Sequence, residues 1–271
     1  MAFLSHLIYG LQLGAIYALV ALGYSMVYGI IRLINFAHGD IIMVASFVVW
    51  YLIARLNVPV WLSILICVAF TSLLGVAIEK LAYKPLRHSA RISLLITAIG
   101  ISFFLQNAAQ LIFGADPVMF ENLFPGNLSL GALTVSRVSV IIICVSIVLM
   151  IALVLLVNKT RMGRAMRAVS EDESTAALMG INVNTTISFA FALGSALAAV
   201  AAILYSCAYT QISPTMGGML GLKAFVAAVL GGIGSIPGAM LGGILIGICE
   251  TLTKAYISSS FADAIVFGIL I

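Results

Sequence analysis

The sequence predicts an all-α fold, a polytopic bundle of membrane helices, and two observations carry that prediction. Of 271 residues, 63% are hydrophobic and only 8% are charged, with a mean hydropathy of +1.23. A soluble domain carries roughly 25% charged residues, and no soluble core of this size could hide so much apolar surface. The apolar runs are also continuous, as in VSVIIICVSIVLMIALVLLV (138–157). A membrane barrel would alternate polar and apolar residues instead. In hydrocarbon every backbone N–H and C=O needs an internal partner, so continuous apolar runs must be helices. At about 20 residues per span the chain has room for about eight or nine transmembrane or re-entrant helices.

In chain order the expected spans are 7–31, 41–57, 60–79, 92–113, 138–157, 186–209, 218–235, 238–256 and 261–271. The first run has no Lys or Arg ahead of it and no A-x-A site, so it reads as a retained span and not as a cleaved signal. The 218–235 segment follows Pro214 and Gly217-Gly218, contains Lys223 and ends in GGIGSIPG, which suits a short or re-entrant helix. The last run is still apolar at Ile271 and is shorter than a span, so the natural chain is expected to continue. No internal repeat, low-complexity segment or dividing linker interrupts 1–271, which reads as a single transmembrane domain.

The formal charge of +4 is small, but its distribution orients the chain. Lys80, Lys84, Arg87 and Arg91 cluster in one loop, and Lys159, Arg161, Arg164 and Arg167 in another. Basic loops stay cytoplasmic. The 114–137 loop holds Asp116 and Glu121, with Arg137 only at its edge, and should face outside. Counting back places the N-terminus outside.

Several chemistries are missing. There is no G-x-x-x-x-G-K-[ST] to cradle a nucleotide, no H-E-x-x-H and no G-x-S-x-G. His6, His38 and His88 lie far apart, so neither a membrane enzyme nor a metal site is expected. Cys67, Cys144, Cys207 and Cys249 all sit inside apolar runs without a C-x-x-C pair and read as small buried hydrophobes.

Polar residues inside a membrane are costly and tend to have a purpose. Gln106, Asn107 and Gln110 lie in the fourth span at spacings of three and four, which puts them on one face. They could clamp a neighbouring helix or line a path. Glu250 and Lys254 form an i,i+4 pair whose mutual neutralisation accounts for them. RLINFAHGD (32–40) interrupts two long runs. Its simplest reading is a turn in which Gly39 frees the backbone and Asp40 caps the next helix. With Arg32, Asn35, His38 and Asp40 together it is also rich enough for a functional element. Gly10-x-x-x-Gly14, Gly234-x-x-x-Gly238-x-x-x-Gly242 and Gly243-x-x-x-Gly247 give small-residue faces suited to close packing of helices within the chain, or to flanking a moving or broken helix near a path.

The 158–184 segment, NKTRMGRAMRAVSEDESTAALMGINVN, is the most informative. Arg161, Arg164 and Arg167 make one basic helical face for anionic headgroups. Ser170 and Glu173 have capping-box spacing, Glu171, Asp172 and Glu173 favour a helix start, and Gly180 is a natural stop. A helix over about 171–179 is therefore expected, presenting Ala176, Ala177, Leu178 and Met179. So short a helix is unstable alone and must pack on its own subunit or on a partner.

Three blocks carry a resemblance. GLQLGAIYALVALGYSMVYGIIRLINFAHGD (10–40) resembles the opening of the branched-chain amino acid permease family of ABC importers. GRAMRAVSEDESTAALMGINV (163–183) resembles its cytoplasmic coupling segment, and LKAFVAAVLGGIGSIPGAMLGG (222–243) its glycine-rich late segment. The resemblance implies a transport subunit of a bacterial inner membrane that hydrolyses nothing and needs no cofactor. It implies a second, similar permease, two cytoplasmic ATP-binding subunits and a soluble periplasmic or extracellular binding protein as partners, with no nucleic acid. It implies that Glu171, Glu173, Ala176, Ala177, Leu178, Met179 and Gly180 meet an ATPase. Against the importer pattern E-A-A-x-x-x-G, counted back from Gly180, the glutamate position holds Ser174 and the alanine positions hold Thr175 and Ala176, with Glu173 one residue early. Asn35, His38, Asp40, Gln106, Asn107 and Gln110 are the expected path residues. Permeases for urea or short amides look similar to this family. A passive channel for a small solute is the competing class, in which a capped cytoplasmic helix has no task.

Overall fold

A computed structural model describes residues 2–87, 89–130 and 133–270. His88 in the first basic loop and Ile271 at the end of the last run lie outside the described residues. The helices are α1 (Ala2–Ile31), α2 (His38–Ala54), α3 (Val60–Ile78), α4 (Lys84–Leu86), α5 (Arg91–Phe113), α6 (Arg137–Lys159), α7 (Arg161–Glu171), α8 (Glu173–Leu178), α9 (Val183–Ala208), α10 (Met216–Leu230), α11 (Ile236–Tyr256) and α12 (Ser259–Gly268). A π-helical turn, Glu79–Tyr83, joins α3 to α4. Among the described residues six helices are long and apolar enough to cross a membrane: α1, α3 with its extension, α5, α6, α9 and α11. α2, α10 and α12 are shorter apolar helices. The expected 218–235 span thus shortens to 15 residues. At about 1.5 Å per residue it falls short of the hydrocarbon thickness.

The segment expected as a plain outer loop carries structure that the periodicity did not signal. β1 (Val118–Met119) pairs antiparallel with β4 (Gln211–Ile212), and β2 (Asn127–Leu130) pairs antiparallel with β3 (Leu133–Ser136). Strands this short leave no readable alternation. β1 and β4 tie the segment after α5 to the segment after α9, at the opposite end of the bundle from the basic loops.

The centre of the bundle is α1, buried over most of its length, with α9, α10 and α11 around it. Helices meet in lipid through close packing, since lipid tails are as apolar as leucine. Two of the expected glycine faces meet here: a Cβ on Gly247 would sit 2.1 Å from Gly14 N on α1, so α1 and α11 cross backbone to backbone. Gly234, by contrast, precedes α11 with a φ of +91° and shares no helical face with Gly238 and Gly242. α3, α5 and α6 carry large exposed apolar side chains, among them Leu73, Phe104 and Val148. Cys67 and Cys207 are buried, as expected, and Cys249 is half-buried. Cys144 is exposed on α6, because that helix packs along one narrow side only.

Charge is concentrated where α1, α10, α11 and α12 meet. Glu250 and Lys254 do pair, at 2.6 Å, but Lys223 also bonds Glu250 at 2.7 Å and Asp263 at 2.6 Å. Tyr17 donates to Glu250 Oε2 at 2.7 Å. Distances in sequence of 27 and 233 residues hid these two partners of Glu250 from any reading of local spacing.

Candidate functional site

The NFAHGD segment is neither a surface turn nor a cap. Asn35, Ala37, His38, Gly39 and Asp40 are all buried, so the helix break between α1 and α2 lies inside the bundle. Ala37 occupies the N-cap position and no side chain caps α2. Asp40 instead accepts from Ser102 Oγ at 2.5 Å and from Gln106 Nε2 at 2.9 Å, both on α5. Gly39 is helical; its missing side chain serves close approach, since a Cβ there would sit 2.2 Å from Gly217 O on α10. Asn35 Oδ1 accepts from Tyr83 OH at 2.9 Å, within the π turn. The Asn35 Nδ2 and His38 Nε2 atoms are buried with no hydrogen-bond partner among the described residues. His38 packs edge-on against Tyr24 at 4.8 Å.

Of the polar face expected on α5, Gln106 and Gln110 are half-buried and Gln106 reaches Asp40, but Asn107 does not share that side. Asn107 is exposed and returns its amide to Phe103 O at 2.7 Å, on its own helix. A residue one step from Gln106 is turned about 100° around the helix, and the wider face drawn from spacing alone overreached by that step. Ser102 was missed, although its i−4 relation to Gln106 places it on the same face. Interhelical hydrogen bonds in membranes average only about 0.6 kcal/mol, so stability alone is a weak reason to bury a carboxylate here.

At the basic end, α7 and α8 form an elbow. Thr160 caps α7, accepting from Gly163 N at 3.0 Å. Met166 and Val169 face inward, and Arg161, Arg164 and Arg167 are exposed. Arg167 does not lie free on that face: its guanidinium donates to Val157 O and to Asn158 Oδ1, satisfying the end of α6. The capping box does not form. Ser170 is still within α7 and donates to Arg167 O at 2.7 Å. Asp172 is the cap of α8, accepting from Thr175 N at 2.5 Å and from Ser174 Oγ at 2.6 Å. These bonds, the Ser174 hydroxyl first, hold its carboxyl down at about 2. The sequence places Asp172 in the first turn behind a Ser170 cap; its extended backbone instead ends α7 and starts α8 two residues later.

α8 therefore runs 173–178 and stops at Gly180, whose φ of +82° is the left-handed conformation expected of a C′ glycine. Leu178 is 88% exposed and Met179 79%, and Ala177 is exposed beside them. Ala176 is buried against its own chain, because a helix of this length turns one side down. Glu171 is exposed, and Glu173 pairs with Arg87 at 3.6 Å. Arg87 is the hub beneath α8: it bonds Asn184 Oδ1 at 3.1 Å and Glu79 Oε1 at 2.7 Å. Glu79, wholly buried, accepts from Ser188 Oγ on α9 at 2.6 Å. In the sequence Arg87 reads only as one of the basic-loop residues, and Glu79 and Ser188 are not singled out; Ser188 lies 109 residues from Glu79.

Buried polar breaks in helices, a lipid-like exterior and an apolar helix outside the bundle define a multi-pass membrane transport protein. The family profile described as "Branched-chain amino acid transport system / permease component" matches residues 6–271, and the chain belongs to that family. It is 43% identical to the high-affinity branched-chain amino acid transport system permease protein LivH of Escherichia coli (strain K12), over 99% of this chain and 92% of the relative. Identity and coverage are the same with BraD of Pseudomonas aeruginosa, a permease of the same description. A probable branched-chain amino acid transport permease of Methanocaldococcus jannaschii is 32% identical over 92% of this chain and 81% of its own. Among solved structures, PsaBC from Streptococcus pneumoniae in complex with Fab shares the fold, with a TM-score of 0.51 at 14% identity, covering 100% of this chain and 90% of that one. The relatives are named as transport subunits, not as enzymes.

Proposed function

We propose that this chain is the permease subunit of an ATP-driven importer of leucine, isoleucine and valine in a bacterial inner membrane. It works with a second, similar permease, two cytoplasmic ATP-binding subunits and an extracytoplasmic binding protein. The basic loops lie in the cytoplasm and the N-terminus outside, in keeping with the positive-inside rule. Residues 1–271 act as one permease domain, with the coupling segment at 158–184.

The observation that carries this reading is α8. Leu178 and Met179 stand exposed at the tip of a six-residue helix that cannot hold itself together alone. Burying each in an ATPase groove is worth about 1.5–3 kcal/mol if complete. Ala177 allows close approach, Gly180 ends the helix, and Glu171 lies at the rim. Arg87 then links α8 through Glu79 to α3 and α9, so closure of the ATPases moves spans and not merely a loop. A π turn next to this hub, Glu79–Tyr83, is a feature frequent at functional sites. Tyr83 carries the linkage to Asn35, and the path residues are Asn35, His38, Asp40, Gln106 and Gln110. They offer donors and acceptors to a solute crossing at the helix break.

The test is purification and reconstitution of the whole complex. ATPase subunits should co-purify, and leucine should compete for ATP-dependent uptake while urea and acetamide should not. Transport of urea or short amides would move the chain to the related permease class. ATP-independent flux without co-purifying subunits would make it a passive channel.

A further inference from the structure

The charged cluster on α10 and α11 does more than neutralise itself. Lys254 lines two neighbouring cavities, of about 370 and 310 Å³, which also share Leu13 and Tyr209. Both fall in the lower part of the usual range for ligand pockets, about 300–1,000 Å³. The second has Lys223, Glu250 and Lys254 on one wall. Its other walls include Leu220, Met216, Met219 and the rings of Tyr205 and Tyr209. Both cavities lie toward the β1–β4 end of the bundle, away from α8. Thr210, which lines the first, accepts from Phe120 N at 2.7 Å just beyond β1.

We infer that this cavity and its Lys223–Glu250–Lys254 wall form a receiving site for the head group of an amino acid zwitterion, on the extracytoplasmic half of the path. The inference rests on the proposed function and names a site for it. Three features support it. Two lysines and two carboxylates, Lys223, Lys254, Glu250 and Asp263, balance, so a zwitterion enters without adding net charge, whereas an anion or a cation would add one at high cost in a membrane. Lys254 and Glu250 both line this cavity and pair at 2.6 Å, with the Lys254 side chain 43% exposed and that of Glu250 only 1%, so the open side of the pair is its cation. The carboxylate of the ligand then faces the half-exposed Lys254, and its ammonium lies on the Glu250 side of the pair, whose carboxylate already accepts from Lys223, Lys254 and Tyr17. The leucine and methionine walls accept a branched aliphatic side chain. A purely structural staple needs none of this, since well-packed apolar residues hold buried sites as well as ion pairs do.

The experiment uses the assembled complex in proteoliposomes with its loaded binding protein outside. Losing one charge-assisted contact should cut leucine uptake by Lys254→Met about tenfold or more, while Lys254→Arg keeps most of it. As a second measurement, Met219→Cys in a background free of other cysteines is labelled with a maleimide. Leucine should slow the labelling; leucinamide, which lacks the carboxylate, and urea should not. If the wild-type complex imports leucine but uptake ignores Lys254 and leucine leaves Cys labelling unchanged, the site is wrong and the importer reading stands. If the complex imports urea or acetamide in place of leucine, the importer reading falls and the site falls with it.

Discussion

The Arg87 guanidinium lies 2.7 Å from the buried Glu79 carboxylate, directly beneath the exposed helix α8. Arg87 is itself largely buried there. Removing one member of such a pair leaves an uncompensated charge, which costs about 3–5 kcal/mol. Arg87→Ala should therefore lower the thermal midpoint of the detergent-solubilised protein clearly, and it should also uncouple ATP hydrolysis from uptake. The double change Arg87→Leu with Glu79→Leu should recover much of the stability but not the coupling. Equal recovery of both would make the pair merely structural.

Ala176 and Ala177 are adjacent, yet one is buried and the other exposed, which separates docking from folding. Ala177→Arg should leave the isolated chain as stable as wild type while abolishing stimulated ATP hydrolysis and uptake. Ala176→Arg should destabilise the isolated chain, because that side is buried. Gly180→Val should damage the helix end, since φ is positive there. Wild-type coupling by Ala177→Arg would refute docking at α8.

The two sides of α5 give a paired test of the path. Gln106→Leu and Gln110→Leu should reduce leucine uptake without loss of assembly. Asn107→Leu should transport as wild type, since Asn107 is exposed and bonded only to its own helix. Reduced uptake in all three variants alike would point to a general effect on the helix.

Asp172 sets the pH behaviour of α8. Its folded carboxyl titrates at about 2, below the ordinary 3.8. A depressed folded value contributes stability above the ordinary carboxylate range and loses it as pH falls toward the folded value. Hydrogen-exchange protection of the 175–178 amides should thus not change with the titration of Asp172 between about pH 5 and 8 and should fall on acidification from about pH 4 to 2. Asp172→Asn should keep the cap at every pH, and Asp172→Ala should fray α8 at neutral pH.

Orientation is tested by thiol labelling of intact cells in a cysteine-free background, at positions the packing allows. A Cβ at Gly163 would sit 2.2 Å from Val157 O, and Phe120 is buried, so exposed Arg164 and Glu121 are the better sites. Glu121→Cys should label from outside and Arg164→Cys only after permeabilisation. The reverse pattern would invert the proposed topology.

Composition and continuous apolar runs were enough to establish the helical membrane fold, because the bilayer admits so few solutions for the backbone. Local signals also placed most spans within a few residues, and they gave the Gly180 stop and the Glu250–Lys254 pair, whose partners lie within one helical turn. Tertiary structure alone decided the rest. Asp40 has the spacing of a cap, yet it bonds Ser102 and Gln106 because the α1–α2 break is buried and α5 crosses it. Lys223 joins Glu250, and Arg87 joins Glu173, through contacts between helices that nothing in their own segments encodes. A side chain's neighbours along one helix follow from 3.6 residues per turn, but its neighbours across the bundle follow only from which faces pack together.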